Sequence, residues 1–342
     1  MRILKRAVIL LLILALTLSL ASCIEEDSEE RIKAKSETVY GYFNTVSTIY
    51  DYTGAPDAEF SMLVDRIEAE LSRYHKLYDI YNSYEGITNI KDINDKAGEG
   101  PVSVSEEIID LLLFSRELHD ATDGYVNVAM GSVLSLWHKY RKEGTAVPPP
   151  AALLEASMHT DISDIIIDRA RGTVEICDSA MSIDVGAIAK GYATEKIAEM
   201  LISEGKSGYV LDIGGNLRIV GQKPSGNAFR VGIRNPEKGS NAYATTLDVY
   251  TGSVVTSGIY ERYYTVDGVD YHHIIDKNTF YPSTKYKSVS VITESSALAD
   301  ALSTAFFCMD ETAIADVIKE YIEDINVIVI TTDGKLKTIE KE

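Results

Sequence analysis

The chain has 342 residues and a formal net charge of −19, with 33 Lys and Arg against 52 Asp and Glu. An acidic surface of this kind repels nucleic acid and anionic lipid head groups, so neither is expected as a partner. An anionic ligand would need a locally positive site or a bound cation, and the acidic balance therefore favours a metal.

The amino-terminal segment predicts export. Three basic residues among the first six precede an uncharged apolar run, 7–22, which is shorter than the ~20 residues of a membrane-spanning helix. The run ends in Leu20-Ala-Ser-Cys23, which resembles a bacterial lipobox. This resemblance implies a signal peptide over 1–22, lipidation of Cys23 and anchoring on the extracytoplasmic face of a bacterial cell membrane. An uncleaved anchor, or an ordinary signal with a chance cysteine, stays open.

The rest of the chain predicts a tether and a globular part. Residues 24–38 are charged and lack periodicity, so 23–38 is interpreted as the lipidated cysteine and a flexible tether. From Val39 to residue 342 the pattern predicts one large domain or two lobes. Cys177 and Cys308 are too few for a disulfide framework, and Cys308 is expected to be a buried free thiol.

Hydrophobic periodicity predicts strands and helices in separate runs, which favours an α+β fold over a doubly wound sheet. Residues 144–154, with three consecutive prolines, predict a surface excursion. Helices are predicted over 58–74, 106–121, 188–204, 297–307 and 311–323. Strands are predicted over 43–52, 165–168, 172–177, 209–212, 217–220, 229–233, 244–249, 263–266 and 287–293, with a terminal hairpin, 327–331 and 335–339, turning at Asp333-Gly334.

The segment Asp184-Val-Gly-Ala-Ile-Ala-Lys-Gly-Tyr-Ala193 combines an acid, two glycines and a lysine where a helix is predicted to begin. Glycines let backbone amides approach an anionic ligand closely. The amino end of a helix attracts anions, and Lys190 adds positive charge for phosphate oxygens. Taken alone, such a loop is more often explained by packing.

Two glycine-containing segments follow in the chain. Asp212-Ile-Gly-Gly-Asn-Leu217 joins two predicted strands through a double glycine, which a plain tight hairpin would also explain. Val254-Val-Thr-Ser-Gly-Ile-Tyr-Glu-Arg262 ends a strand in small hydroxyl residues, where ligands often meet the backbone. A simple strand-to-turn transition explains the second segment equally well.

Two further segments supply side chains for catalysis. In His272-His-Ile-Ile-Asp276 an imidazole could accept a hydroxyl proton near neutral pH. In Ala297-Leu-Ala-Asp-Ala-Leu-Ser-Thr304 the carboxylate of Asp300 and the hydroxyl of Thr304 are four residues apart. They would face the same side of a helix and suit a hard cation such as Mg²⁺. Structural roles stay open for both segments. The other histidines are expected to be structural or surface residues: His75, His119, His138 and His159.

Together these five segments resemble the ApbE family, the FAD:protein FMN transferases. The resemblance covers about residues 40–310. Its motifs are, in order, Asp184-Val-Gly-Ala-Ile-Ala-Lys-Gly-Tyr, Gly214-Gly-Asn, Thr256-Ser-Gly, His273-Ile-Ile-Asp and Ala299-Asp-Ala-Leu-Ser-Thr, with looser matches at Thr122–Asn127 and Tyr78–Tyr81. It implies mixed, largely antiparallel sheets with helices packed on them. It also implies an Mg²⁺-dependent enzyme that cleaves FAD, attaches the FMN moiety to a Thr or Ser of an exported acceptor protein and releases AMP.

The resemblance also implies roles for individual residues. Asp300 and Thr304 would hold the cation with a backbone carbonyl at Ala187, and His273 would be the catalytic base. The residues implied to bind FAD are Phe43, Tyr81, Tyr125, Val126, Asn127, Asp184, Lys190, Gly214, Gly215, Ser257 and Ile275.

Two departures from the family pattern concern the loop after His273 and one position in the upstream motif. Members commonly continue His-Ile-Ile-Asp with Pro and then Thr-Gly-x-Pro, whereas this chain has Lys277 and Phe280 there. Asn127 stands where many members have Asp. Two other classes stay open, a non-catalytic FAD-binding lipoprotein and a lipid-anchored solute receptor of a transporter. Neither has a need for His273 together with Asp300 and Thr304.

Overall fold

The structure, a computed structural model, describes residues 34–237, 242–321 and 324–341, all within one compact unit. The expected signal peptide, Cys23 and most of the expected tether lie outside the described residues. No helix within the described ranges is long and apolar enough to cross a membrane.

The described elements are short strands and helices, with eight consecutive strands between Tyr209 and Thr293. The strands are β1 (Lys35–Tyr40), β2 (Val46–Asp51), β3 (Val102–Ser103), β4 (Ile165–Asp168), β5 (Thr173–Ile176), β6 (Tyr209–Ile213), β7 (Asn216–Val220), β8 (Phe229–Arg234), β9 (Tyr243–Val249), β10 (Gly252–Gly258), β11 (Tyr263–Val266), β12 (Val269–His272), β13 (Tyr286–Thr293), β14 (Asn326–Thr331) and β15 (Leu336–Ile339). The helices are α1 (Asp57–Tyr78), α2 (Ile90–Asn94), α3 (Glu106–Ala121), α4 (Gly131–Glu143), α5 (Pro150–Ser157), α6 (Ala189–Ser203), α7 (Ser296–Phe306) and α8 (Glu311–Glu320), with 3₁₀ turns at Val128–Met130 and Ile162–Asp164.

One large antiparallel sheet organises the fold. Its strand order is β1-β2-β6-β7-β10-β13-β14-β15, and every pairing within it is antiparallel. Three small antiparallel sheets accompany it, β3-β5-β4, β8-β9 and β11-β12. The expected α+β fold with largely antiparallel sheets is confirmed.

Helices α6 and α7 carry the predicted motifs and pack on the middle of the large sheet. Helix α7 lies against β10 and β13, and α6 lies against β7 and against α7. Nearly every side chain of α7 is buried, because the helix is covered by the sheet on one side and by α6 on the other. This burial explains why its sequence is so rich in alanine, whose small side chain allows close packing.

Three local expectations are corrected or refined. Residues 35–38 were expected in the tether but belong to β1, whose alternating burial pattern places Val39 in the core. Residues 144–154 were expected to form a surface excursion, and α5 begins within them at Pro150, because proline is preorganised for the first turn of a helix. Leu153 anchors this helix with only 2% of its surface exposed. The strand expected over 43–52 starts at Val46, because Phe43 and Asn44 adopt positive φ angles. Cys308 is a buried free thiol, as expected.

Candidate active site

Helices α6 and α7 meet at a glycine. A β-carbon at position 191 would lie 2.3 Å from the Cβ of Asp300 and 2.5 Å from the carbonyl oxygen of Ser296. The backbone amide of Gly191 donates a hydrogen bond to Oδ2 of Asp300 at 2.7 Å. Only glycine allows this approach. The contact therefore fixes the carboxylate of Asp300 against the start of α6.

The carbonyl of Ala187 lies just before the start of α6. Gly191 is the third residue of that helix, and the first amides of a helix have no acceptor within it. The carboxylate of Asp300 satisfies the Gly191 amide, and the Ala187 oxygen accepts no backbone hydrogen bond from the described residues. A carbonyl oxygen is thus left available one turn before the glycine.

Hydroxyl groups complete an oxygen-rich cluster around Asp300. Oγ1 of Thr304 lies 3.4 Å from the carbonyl oxygen of Asp300 and 3.4 Å from Oγ of Ser257. Strand β10 supplies Ser257, whose Oγ lies 2.8 Å from Oγ of Ser303. On the other side, Nζ of Lys190 lies 3.8 Å from Oδ1 of Asp300.

This donor set fits a hard divalent cation. Carboxylate, hydroxyl and carbonyl oxygens are the ligands that Mg²⁺ prefers, often with only one or two carboxylates and the rest from phosphates and water. Among the described residues, no group of three or more His, Cys, Asp or Glu side chains is arranged to hold a metal ion by itself. A cation at Asp300 would therefore depend on oxygens from a substrate to complete its coordination.

The double glycine turn places a polar side chain beside this cluster. Gly214 and Gly215 both have positive φ angles, and a β-carbon at 214 would lie 2.1 Å from Oγ1 of Thr45. The turn leads into Asn216, whose side-chain oxygen and nitrogen are both buried without a hydrogen-bond partner among the described residues. The Asn216 nitrogen is 3.0 Å from the position that a β-carbon of Gly191 would occupy. A buried unpaired amide costs about 1–3 kcal/mol, which is typical of a site that a ligand or water completes.

Asp212 lies in the strand before the same turn. Its Oδ1 accepts a hydrogen bond from the amide of Gly215 at 3.0 Å. Burial raises the pKa of the Asp212 carboxyl, although this hydrogen bond and the charge of Lys190 oppose the shift. Asp212 and Lys190 thus place two ionisable groups close together at this end of the cluster.

Asp184 contacts residues far from it in the sequence. Its Oδ1 accepts a hydrogen bond from the amide of Gly186 at 2.8 Å, and its Oδ2 lies 3.8 Å from Nε2 of His138. Nδ1 of His138 lies 3.1 Å from the hydroxyl of Tyr81. Burial lowers the pKa of His138, and the charge of Asp184 only partly offsets this shift. His138, expected to be a structural or surface residue, thus lies beside Asp184 and Tyr81, which are two of the residues implied to bind FAD.

The tandem histidines have different environments. The ring of His272 is buried against Phe307; its Nε2 donates to the carbonyl oxygen of Ser283 at 2.8 Å, and its Nδ1 accepts from the amide of Ile274 at 3.2 Å. Both ring nitrogens are thus used within the fold. His273 is partly buried, and its Nδ1 lies 3.2 Å from the carbonyl oxygen of Arg262. Because a carbonyl only accepts, Nδ1 of His273 carries the proton and Nε2 keeps its lone pair.

The positively charged side chains of Arg262 and Arg141 lie near His273. Burial is the main cause that lowers the pKa of His273 to about 3, and the nearby guanidinium of Arg262 adds to the effect. Burial likewise lowers the pKa of Arg141, again with a contribution from Arg262. Arg262 also donates to the carbonyl oxygen of Phe43 at 3.5 Å, so the turn between β1 and β2 lies next to Arg262.

Lys277, one of the residues that depart from the family pattern, joins the loop after β12 to the turn after α3. Nζ of Lys277 hydrogen-bonds to the carbonyl of Asp123, lies 3.3 Å from its carboxylate and lies 4.6 Å from the ring centre of Tyr125. The hydroxyl of Tyr125 accepts from Nδ2 of Asn278 at 3.0 Å. Phe280 has a positive φ angle, and its carbonyl accepts from Nε1 of Trp137 at 2.9 Å. Lys277 thus orients Tyr125.

Three of the residues implied to bind FAD have side chains that pack or hydrogen-bond within the protein. Val126 packs in the core with 2% of its surface exposed. Both ends of the Asn127 amide are used, since Oδ1 accepts from Ala129 at 2.9 Å and Nδ2 donates to Thr160 at 2.9 Å. Ile275 forms a β-bridge with Pro282 and packs with the Trp137 cluster.

Comparison with known proteins identifies the family. The model of the ApbE family matches residues 43–329. An FAD:protein FMN transferase of Treponema pallidum (strain Nichols) is 32% identical over 302 residues, which cover 84% of this chain and 82% of that protein. Another, of Klebsiella pneumoniae (strain 342), is 30% identical over 270 residues, covering 79% of this chain and 82% of that protein. The chain belongs to the ApbE family.

Solved structures of ApbE proteins agree with this assignment. The ApbE protein of Thermotoga maritima superposes with a TM-score of 0.79 at 26% identity, covering 91% of this chain and 97% of that one. The flavin transferase ApbE of Vibrio cholerae has a TM-score of 0.73 at 24% identity, covering 91% and 98%, which supports the fold.

Within this ApbE domain the expected site residues fall into two neighbouring groups joined by the loop 184–190. One group gathers around Asp300, with Lys190, Thr304 and Ser257. The other gathers around Asp184, with His138 and Tyr81. Sequence reasoning missed His138, Arg141 and Asn216 as parts of these groups. Asn216 belongs to the Gly214-Gly-Asn motif, so the sequence offered a signal for it. His138 and Arg141 have no such signal, because the sequence around them is that of an ordinary helix face.

Proposed function

We propose that this chain is an FAD:protein FMN transferase. It cleaves the pyrophosphate of FAD, transfers the FMN moiety to a Thr or Ser hydroxyl of an exported acceptor protein and releases AMP, with Mg²⁺ as the cation. Membership of the ApbE family and the names of its curated relatives support this proposal. The observation that carries it is the contact between Gly191 and Asp300, which fixes a carboxylate at the start of α6 with Lys190 beside it.

Asp300, Thr304 and the carbonyl of Ala187 would hold the cation. A bound Mg²⁺ neutralises charge on the pyrophosphate and stabilises the departing phosphate. Lys190 adds a positive charge at the same place, and the amino end of α6 directs further partial positive charge toward phosphate oxygens. These fixed charges favour a transition state in which negative charge spreads over the phosphoryl oxygens.

The transfer step needs a proton acceptor. The acceptor hydroxyl oxygen forms a bond to the phosphorus on the FMN side, and the bond from that phosphorus to the oxygen bridging to AMP breaks. The hydroxyl proton moves to Nε2 of His273, whose Nδ1 is held by the carbonyl of Arg262. The lowered pKa keeps this ring neutral at pH 7 in the free protein. Phosphates placed beside it raise that pKa and so strengthen the base.

The location of the enzyme follows from the amino-terminal segment. We infer that 1–22 is a signal peptide, that Cys23 carries the lipid, and that the domain is held on the extracytoplasmic face of a bacterial cell membrane by a tether ending near residue 34. The acceptor is then also exported. The expected partners are FAD, this acceptor and, through the lipid anchor, the membrane.

The proposal is tested by incubating the mature chain with FAD, MgCl₂ and extracytoplasmic proteins of the same cells. Covalent flavin is detected by fluorescence in denaturing gels and by intact mass, and AMP is measured in parallel. We expect fluorescent acceptor bands with equimolar AMP. His273→Asn should abolish transfer, and His272→Asn serves as the matched control, because its ring nitrogens are used within the fold. Binding of FAD without AMP release or labelling would contradict the proposal and favour a flavin carrier.

A further inference from the structure

A groove beside the Asp184 group is lined by basic side chains. Helix α4 contributes His138, Lys139, Arg141 and Lys142, which with Tyr81 line a cavity of about 420 Å³. Lys139 and Lys142 are exposed and three residues apart, so they project from the same side of the helix. Tyr81 is 54% exposed at the edge of this groove. The groove adjoins the proposed active site, because His138 contacts Asp184.

Lys139, Arg141 and Lys142 form no ion pairs within the described chain, although the charge of Asp184 acts on Arg141. Most basic side chains of the described chain form ion pairs, as Arg73, Arg218 and Lys287 do. By contrast, no described carboxylate lies within 4.0 Å of Lys139, Arg141 or Lys142. In a chain with a net charge of −19, cations gathered in one groove form a local positive surface that attracts an anionic partner.

Packing makes the groove a preformed surface. On the core side of α4, the ring of Trp137 stacks on Tyr271 of β12 with centroids 6.0 Å apart and meets Tyr281 edge-on at 5.6 Å. The indole also donates to the carbonyl of Phe280. The helix is therefore held against the segment that carries His273, and its basic side keeps a fixed position relative to the proposed base.

We propose that this basic groove docks an acidic segment of the acceptor protein next to the hydroxyl that is modified. This inference rests on the proposed function. The only anionic groups of FAD are its two phosphates, and Lys190 and the oxygen cluster around Asp300 already provide for them. The charges of Lys139 and Lys142 remain for a second anion, and the exposed position of both lysines suits a protein surface. Complementary charge would steer the acceptor toward the active site and fix its orientation.

Two labelled peptides test the surface. Each contains one Thr; the first carries Asp residues on both sides of it, and the second has Asn in their place. Binding to the FAD-loaded mature chain is followed by fluorescence anisotropy at low and high salt. We expect tighter binding of the Asp peptide, weakened by salt because exposed charges are screened. The double variant Lys139→Gln/Lys142→Gln should weaken it about tenfold, since two exposed charge contacts are lost.

The matched control is Lys319→Gln/Lys335→Gln, which removes the same charge from exposed lysines on other elements. It should bind the Asp peptide like the wild type. Equal affinity of the wild type for the Asp and Asn peptides would overturn the docking surface. A loss of FAD affinity in the Lys139/Lys142 variant would overturn it as well, because the groove would then be part of the nucleotide site.

Transfer kinetics separate this inference from the proposed function. With an acceptor that the wild type labels, the Lys139/Lys142 variant should show a raised KM for the acceptor and an unchanged kcat, because the lysines act on encounter and not on the reacting atoms. The same KM in variant and wild type would overturn the docking surface and leave the transferase activity intact. A wild type that labels no acceptor and releases no AMP would instead refute the proposed function.

Discussion

Replacing Gly191 by Ala should disable the enzyme with little loss of fold. The new methyl group would lie 2.3 Å from Cβ of Asp300, where ordinary contacts begin at 3.4 Å, so α7 must retreat from α6 by about 1 Å. Overpacking of this kind costs about 1–3 kcal/mol, and the better helix propensity of Ala returns up to about 1 kcal/mol. The net loss of unfolding free energy should lie between about 0 and 3 kcal/mol.

The effect on activity should be much larger than the effect on stability. A shift of about 1 Å in a positioned group can cost roughly 10²-fold in rate. It would also break the hydrogen bond from the Gly191 amide to Asp300, which is 2.7 Å long. Melting temperature by circular dichroism, Mg²⁺ affinity by calorimetry and FMN transfer should be measured on the same sample. We expect a melting temperature lowered by a few degrees, with weak Mg²⁺ binding and transfer reduced about 100-fold.

Gly232→Ala provides the control. A β-carbon there would lie 2.4 Å from the ring of Tyr243, but that ring is 66% exposed and can turn away. Its stability and transfer should match the wild type. If Gly191→Ala kept wild-type Mg²⁺ affinity and transfer, the contact between α6 and α7 would not position the cation site.

Four further outcomes are expected. Asp300→Asn should weaken Mg²⁺ binding and transfer while the melting temperature stays close to the wild type, because shape is kept and a charged ligand is lost; full Mg²⁺-dependent activity would rule out that role. His273→Asn should keep FAD affinity and lose about 10²–10⁴-fold in single-turnover transfer; normal transfer would move the proton to another group. Burial lowers the pKa values of His138, His272 and His273. These rings therefore take up protons on unfolding, and thermal melts should show the free energy of unfolding falling as pH drops below about 6.5; a flat profile down to pH about 4 would contradict this. Cys23→Ala should abolish labelling by a palmitate analogue and leave transfer by the purified chain unchanged; persistent label would exclude that cysteine.

Local patterns in the sequence were enough to predict the fold class and many elements. Acids in the first turn and regular apolar spacing predicted α3 over the residues where it is found, 106–121. Strand β4 and strand β11 also have the predicted bounds. These features depend on residues within one or two turns of each other, so a single segment contains the information. The order of five short motifs likewise predicted the ApbE family, which the comparisons confirm.

Tertiary structure alone decided how the site is assembled. His138 meets Asp184, and Gly191 meets Asp300, only because separate segments pack together. Neither contact has a periodic signal, since periodicity reports which face of an element is buried and not what it is buried against. The acceptor of the Gly191 amide is also decided by packing, because an amide in the first turn of a helix has no acceptor within that helix and the close approach of α6 and α7 supplies a carboxylate.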